Sequence, residues 1–67
     1  DQLTQREFDV FIGIAKGLDR TQLANALNVS SKTISNTLTQ LKSKLQIHTN
    51  TELVHLAIEQ GYLKVAV

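Results

Sequence analysis

Apolar residues recur at helical spacing in four segments of this chain, and polar turn residues separate the segments. The clearest segment is 30–45. Ile34, Leu38, Leu41 and Leu45 stand at i, i+4, i+7 and i+11, which keeps them on one narrow helical stripe. At about 100° per residue, Lys32, Asn36, Thr39 and Ser43 gather on the opposite face, with Ser35 and Gln40 beside them. That face holds no acid and no large apolar residue. Its side chains are short or flexible, and they donate and accept hydrogen bonds, as a helix that presses into a DNA groove requires. The plainer reading is a solvated face biased towards Ser and Thr. The rest of the chain favours the groove.

Thr4-Gln5-Arg6-Glu7 has the form of a capping box, with Thr4 over the Glu7 amide and Glu7 reaching back. It opens a helix over 5–16 with Val10, Phe11, Ile14 and Ala15 inward, and Gly17 suits the left-handed position after it. Gly13 in mid-helix costs roughly 1 kcal/mol relative to Ala and permits another helix to come close. Asp19 with Gln22 caps a short second helix over 20–27, where Leu23, Ala24 and Leu27 face inward. Asn28 tolerates positive φ, Val29 anchors the turn, and Ser30 caps the long helix over 31–45. Short helix, tight turn and long helix together make a helix-turn-helix, with small Ala24 where the two cross. Gln46, Ile47 and His48 leave the long helix. Thr49-Asn50-Thr51-Glu52 is another capping box, and it opens a fourth helix over 50–60 that ends at Gly61. Tyr62 and Leu63 are expected to fold back as a lid, and residues 64–67 to form a short tail that frays unless it docks. The expected fold is all-α: one four-helix domain over 1–67 around a central helix-turn-helix.

A chain of 67 residues holds one small core, and without cysteine neither disulfides nor thiolate metal sites can staple it. No apolar run approaches membrane-spanning length. The net charge of +1 says little, but its distribution says more. No acid lies between Asp19 and Glu52, a window that carries Arg20, Lys32, Lys42 and Lys44; the acids lie outside it. Such an asymmetry steers one end of a molecule towards phosphate. Catalysis is not expected. His48 and His55 lack an acid or thiol to complete a zinc or nucleophile set, Glu7 is occupied as a cap, and the scattered glycines form no phosphate loop. With Phe8, Phe11 and Tyr62 as the only aromatics, single-strand binding by stacking is disfavoured.

The ordered set Leu3-Thr4-x-Arg6-Glu7, Ile14-Ala15-Lys16-Gly17 and Leu23-Ala24-x-x-Leu27-x-Val29-Ser30-x-x-Thr33-Ile34 resembles the LuxR/FixJ-type helix-turn-helix domain. Lys44-Leu45, Glu52-Leu53-Val54, Ala57 and Gly61 continue the match, which runs from Leu3 to about Leu63. The resemblance implies a DNA-binding domain of a bacterial transcription regulator that dimerises through its fourth helix on two half-sites. The absent N-terminal Met fits a C-terminal piece of a longer regulator, and equally a processed or engineered start. Where the family usually has Lys, this chain has Ser35, and Thr37 stands where His is frequent. Gln22 replaces a usual Glu, Asn28 and Gln46 replace usual glycines, and Gly13 replaces a usual Leu. Phe8 and Ile12 stand at variable or polar positions, which predicts an exposed apolar pair. The loss of a long cation at position 35 predicts modest base specificity and a larger share for DNA shape.

Ser35, Asn36 and Thr39, flanked by Lys32 and Gln40, are expected to read bases. Arg20, Lys32, Thr33, Lys42 and Lys44, with the amides at Ser31 and Lys32, are expected to hold phosphates, and Thr4 is a weaker candidate because its hydroxyl caps a helix. Leu53 and Ala57 suffice to pack the fourth helix on the first and third, with Val54 and Ile58 sharing the seam from one side. That leaves Thr51, His55, Leu56 and part of Val54 for a dimer contact. Double-stranded DNA and a second copy of the chain are the expected partners, with an upstream regulatory domain or RNA polymerase as further ones. No cofactor, metal or membrane is expected, and the expected location is the cytoplasm. Two alternatives remain. One is a protein-interaction module on the same scaffold, suggested by Ser35 and by Phe8, Ile12 and Leu56. The other is the promoter-reading domain of a sigma factor, which the fourth helix disfavours.

Overall fold

Each helix begins on a side chain that satisfies its first free amides. In the computed structural model, which describes residues 3–63, four helices follow one another: α1 (Gln5–Ala15), α2 (Arg20–Leu27), α3 (Ser31–Leu45) and α4 (Asn50–Glu59). The expectation for residues 64–67 falls outside the described part. Thr4 Oγ1 accepts the Glu7 amide at 3.1 Å while Glu7 Oε1 accepts the Thr4 amide at 2.8 Å, a complete capping box. Asp19 and Gln22 do the same for α2 at 2.8 and 2.9 Å. Ser30 Oγ caps α3 through the Thr33 amide. The box expected at the fourth helix departs from expectation. Thr49 Oγ1 takes the Glu52 amide, but Glu52 Oε1 reaches past the cap to the His48 amide at 3.1 Å and the Thr49 hydroxyl at 3.3 Å.

The helix ends fall within one residue of the pattern. α1 and α4 each stop one residue early, because Lys16 and Gln60 are already capping positions ahead of left-handed Gly17 and Gly61. Asn28 and Gln46 both adopt φ near +60° to end α2 and α3. For Asn that conformation is tolerable; for Gln it is strained, and the chain accepts it because Ile47 must turn back to the core.

Helix α1 is the hub and packs against all three other helices. Its Val10, Phe11, Ile14 and Ala15 meet Leu23 and Ala24 of α2, Ile34, Leu38 and Leu41 of α3, and Leu53 and Ala57 of α4 in one buried cluster. Fully burying each large side chain among them contributes about 1.5–3 kcal/mol. Gly13 is buried and lies under Leu23, with no room for a Cβ between them. The close approach expected from mid-helix glycine is therefore the α1–α2 crossing. Helix α4 leans on α1 and forms no comparable seam with α3, contrary to expectation.

Two further expectations are corrected. Phe8 and Ile12 are not an exposed pair: both are half-buried and pack against the core. For Phe8 the reason includes Tyr62, which folds back beyond Gly61 with its amide on the Ala57 carbonyl. Its ring meets Phe8 edge-on at 5.1 Å and Phe11 at 5.9 Å. The lid role expected of Tyr62 and Leu63 is thus what covers Phe8. Leu56 also packs against the core, beside Ile47 in a shallow cleft that Glu52 and Glu59 border. The apolar positions that suggested an additional protein partner are thus partly covered within the domain.

Candidate nucleic-acid interface

The outward face of α3 is built by subtraction. Ile34, Thr37, Leu38 and Leu41 turn into the domain and leave Lys32, Asn36, Thr39, Gln40 and Ser43 exposed. The side chains of Lys32, Asn36 and Gln40 make no hydrogen bond within the domain among the described residues, so their donors and acceptors are free. Thr39 differs: its hydroxyl donates to the Ser35 carbonyl one turn back at 3.0 Å. Its oxygen can still accept, but its one proton is committed.

Ser35 is half-buried on the flank that faces α2, and Arg20 Nη1 donates to Ser35 Oγ at 3.1 Å. The expected base reader and the expected phosphate anchor are therefore joined across the two helices. The sequence pattern does not reveal that pair. Its available signal is the helical angle of Ser35, which falls on the edge of the outward face rather than at its centre.

At the N-terminus of α3, Ser30 Oγ occupies the Thr33 amide and also lies 3.0 Å from Thr33 Oγ1. Ser31 and Lys32 precede the first helical bond, which runs from Ile34 to Ser30, so their amides are free to meet an anion. Thr33 is half-buried and Ser31 exposed. At the other end, half-buried Lys42 lines a shallow groove with Thr39, Ser43, Gln46, Ile47 and His48.

Lys44 is placed otherwise than expected. Its ammonium lies 2.7 Å from Glu7 Oε1, the one ion pair among the described residues. That hydrogen bond, with the Thr4 amide, holds the Glu7 carboxyl below its ordinary pKa. Lys44 thus neutralises a buried acid of α1, and the cations of the helix-turn-helix without an acid partner among the described residues are Arg20, Lys32 and Lys42. Thr4 is likewise spent as a cap. Glu52 is depressed for a similar reason, chiefly by the His48 amide.

On α4 the stripe that faces away from the core runs through Thr51, Val54, His55 and Ile58. Val54 and Ile58 are half-buried and do not join the core among the described residues; Thr51 and His55 are exposed. Leu56 lies on another side of the helix, and Ile58 takes the surface position expected of it. The sequence signal for Ile58 is the i, i+4 spacing from Val54.

A helix-turn-helix with an acid-free outward face defines a class, and the comparisons give the family. The model of the luxR family of bacterial regulatory proteins matches residues 1–57. The transcriptional activator protein ExaE of Pseudomonas putida is 56% identical over 64 residues, covering 96% of this chain and 30% of that protein. The response regulator UvrY of Escherichia coli K12 is 39% identical over 59 residues, 88% of this chain and 27% of that protein. The transcriptional regulatory protein YdfI of Bacillus subtilis 168 is 39% identical over 64 residues, 96% of this chain and 30% of that protein. No solved structure gives a significant match. The chain belongs to the luxR family of bacterial regulatory proteins, as a helix-turn-helix domain of the DNA-binding, transcription-regulating class. It spans under a third of the length of these relatives. No helix among the described residues is long and apolar enough to cross a membrane.

Proposed function

We propose that the chain binds double-stranded DNA with α3 in the major groove and pairs with a second copy through α4. The observation that carries this reading is the outward face of α3: Lys32, Asn36 and Gln40 exposed with unoccupied hydrogen-bonding groups, and no acid anywhere on α2 or α3. A helix is narrow enough to enter the groove, and an acid-free face meets the phosphates without repulsion.

In this arrangement Asn36 reads a base edge, with Ser35, Thr39, Gln40 and Lys32 around it. Lys42, Lys32, Arg20, Thr33 and the amides at Ser31 and Lys32 hold the backbone on either side. The ammonium of Lys44 takes part only by leaving Glu7. The stripe Thr51, Val54, His55 and Ile58 meets its two-fold mate, which sets two α3 helices about one DNA turn, roughly 34 Å, apart on an inverted repeat. One short helix per protomer buries little, so the domain pairs weakly in solution and fully on DNA. The names of the relatives, a transcriptional activator, a response regulator and a transcriptional regulatory protein, support transcription regulation as the setting; a further regulatory domain or RNA polymerase as the other contact, and the cytoplasm as the place, belong to the same proposal.

Selection from a random duplex library tests the reading. The chain is expected to enrich an inverted repeat, and Asn36→Ala to relax one base position in each half-site, worth about 1–3 kcal/mol of discrimination. The same motif from both proteins removes Asn36 as a reader, and no enrichment by either removes base reading.

A further inference from the structure

Arg20 stands on α2, outside the helix that enters the groove, yet its guanidinium is drawn across to α3. Arg20 Nη1 donates to Ser35 Oγ at 3.1 Å, with Arg20 exposed and Ser35 half-buried. Among the described residues no carboxylate lies within ion-pair distance of Arg20. A guanidinium carries five N–H donors in a fixed planar fork. The bond to Ser35 uses one of them and biases the orientation of the fork; the remaining donors have no partner among the described residues.

The neighbouring side chains decide what those donors are needed for. Asn36 follows Ser35 directly, and Thr39 lies one turn on. Thr39 has given its proton to the Ser35 carbonyl, so at this flank it can accept but not donate. Ser35 has a single short hydroxyl. Asn offers one acceptor and two donors and is suited to adenine, not to the paired acceptors O6 and N7 of guanine. Lys32 and Gln40 also carry several donors, but the planar fork that matches O6 and N7 with two parallel N–H groups, and that is bonded to this flank, is that of Arg20. A phosphate can also take the fork, but from many directions, whereas a guanine edge takes it in one plane only. The tether to Ser35 biases the fork towards one orientation.

We infer that Arg20 is a base-reading residue: held over α3 by Ser35, it recognises a guanine in the major groove, with Ser35 as its positioning residue. The inference rests on the proposed placement of α3 and changes the role of Arg20 within it from phosphate anchor to specificity determinant.

The test is a random-library selection with the unaltered chain, Arg20→Ala, Arg20→Lys, Ser35→Ala and Asn36→Ala, with salt titrations on the selected duplex. The unaltered chain should prefer guanine at one position by roughly 5- to 150-fold, the range of a good bidentate contact. Arg20→Ala should lose that preference and no other. Arg20→Lys should lose it too while keeping the salt slope, because the charge survives and the fork does not. Ser35→Ala should weaken it several-fold at an unchanged slope. A guanine preference that survives both Arg20 variants overturns the inference, as does an affinity loss spread evenly over all sequences and rescued by Lys. If Asn36→Ala shifts the motif while the Arg20 variants do not, only this inference fails. If the unaltered chain enriches no motif, the underlying reading fails with it.

Discussion

Lys44 of α3 and Glu7 of α1 meet at 2.7 Å, with the carboxylate side chain 5% exposed and the ammonium side chain 39% exposed. Glu7 is also the third residue of a capping box, so one carboxylate closes the start of α1 and ties that end to the last turn of α3. The basic character of α3 is partly structural for this reason.

Lys44→Ala is therefore expected to act on stability. It leaves Glu7 without its counter-charge in a buried position, which is the costly way to break a pair. The melting temperature should fall, while the salt dependence of DNA binding should stay close to that of the unaltered chain. In a Glu7→Gln background, where no charge is stranded, the same change should cost less; thermal denaturation of the four proteins of this cycle measures the difference.

Acid should uncover the same pair. The folded pKa of Glu7 lies below its ordinary value, and so does that of Glu52. Between the depressed value and the unfolded one the unfolded chain binds more protons, so stability rises with pH there. Both contributions are complete above the unfolded carboxylate range, near pH 4.3, and are lost as pH falls through the folded values. Urea midpoints measured from pH 6 down to 2 should decline on the acid side, and Glu7→Gln should flatten part of that decline. An unchanged profile in the variant would contradict the account.

The helices, their caps and most of the core could be read from the sequence because they depend on local spacing: Thr4 with Glu7, Asp19 with Gln22, and Ile34, Leu38 and Leu41 at helical intervals. The misjudged points were contacts between distant segments. Lys44 looked like a free cation because Glu7 lies 37 residues away in the chain. The cover over Phe8 is not local either, because Tyr62, which folds onto it, comes only after the fourth helix. Leu56 looked like surface because a period alone cannot say that α4 leans on α1 rather than α3. Ser35, where the family pattern has Lys, was legible as a lost cation but not as the point where Arg20 arrives.

Gly13 gives a packing prediction. Alanine improves the helix by roughly 1 kcal/mol. Its methyl group meets the buried side chain of Leu23, and overpacking of that kind costs typically 1–3 kcal/mol. Gly13→Ala should thus be neutral to destabilising by about 2 kcal/mol despite the better helix former, read as a lower urea midpoint. Adding Leu23→Ala, which opens the space, should restore the helical gain relative to Leu23→Ala alone.

Helix α4 separates two kinds of apolar residue. Val54→Glu or Ile58→Glu places a charge on the outward stripe and should leave helical content and melting temperature nearly intact while abolishing cooperative occupation of two half-sites. Leu56→Glu places it against the core beside Ile47 and should lower the melting temperature instead. Circular dichroism and gel shifts on single and paired half-sites distinguish them. Cooperative binding by Val54→Glu and Ile58→Glu would move the two-fold contact off α4.

The placement of α3 against DNA is decided by the salt slope. Fluorescence anisotropy of a labelled duplex, titrated at several potassium chloride concentrations, should give an affinity that falls linearly with the logarithm of salt. Lys32→Ala should weaken binding to every sequence and flatten that slope by about 1 per lost contact, whereas Lys44→Ala should leave it unchanged. Salt-independent binding, or a Lys32→Ala slope identical to that of the unaltered chain, would contradict a helix-turn-helix that enters DNA along the exposed face of α3.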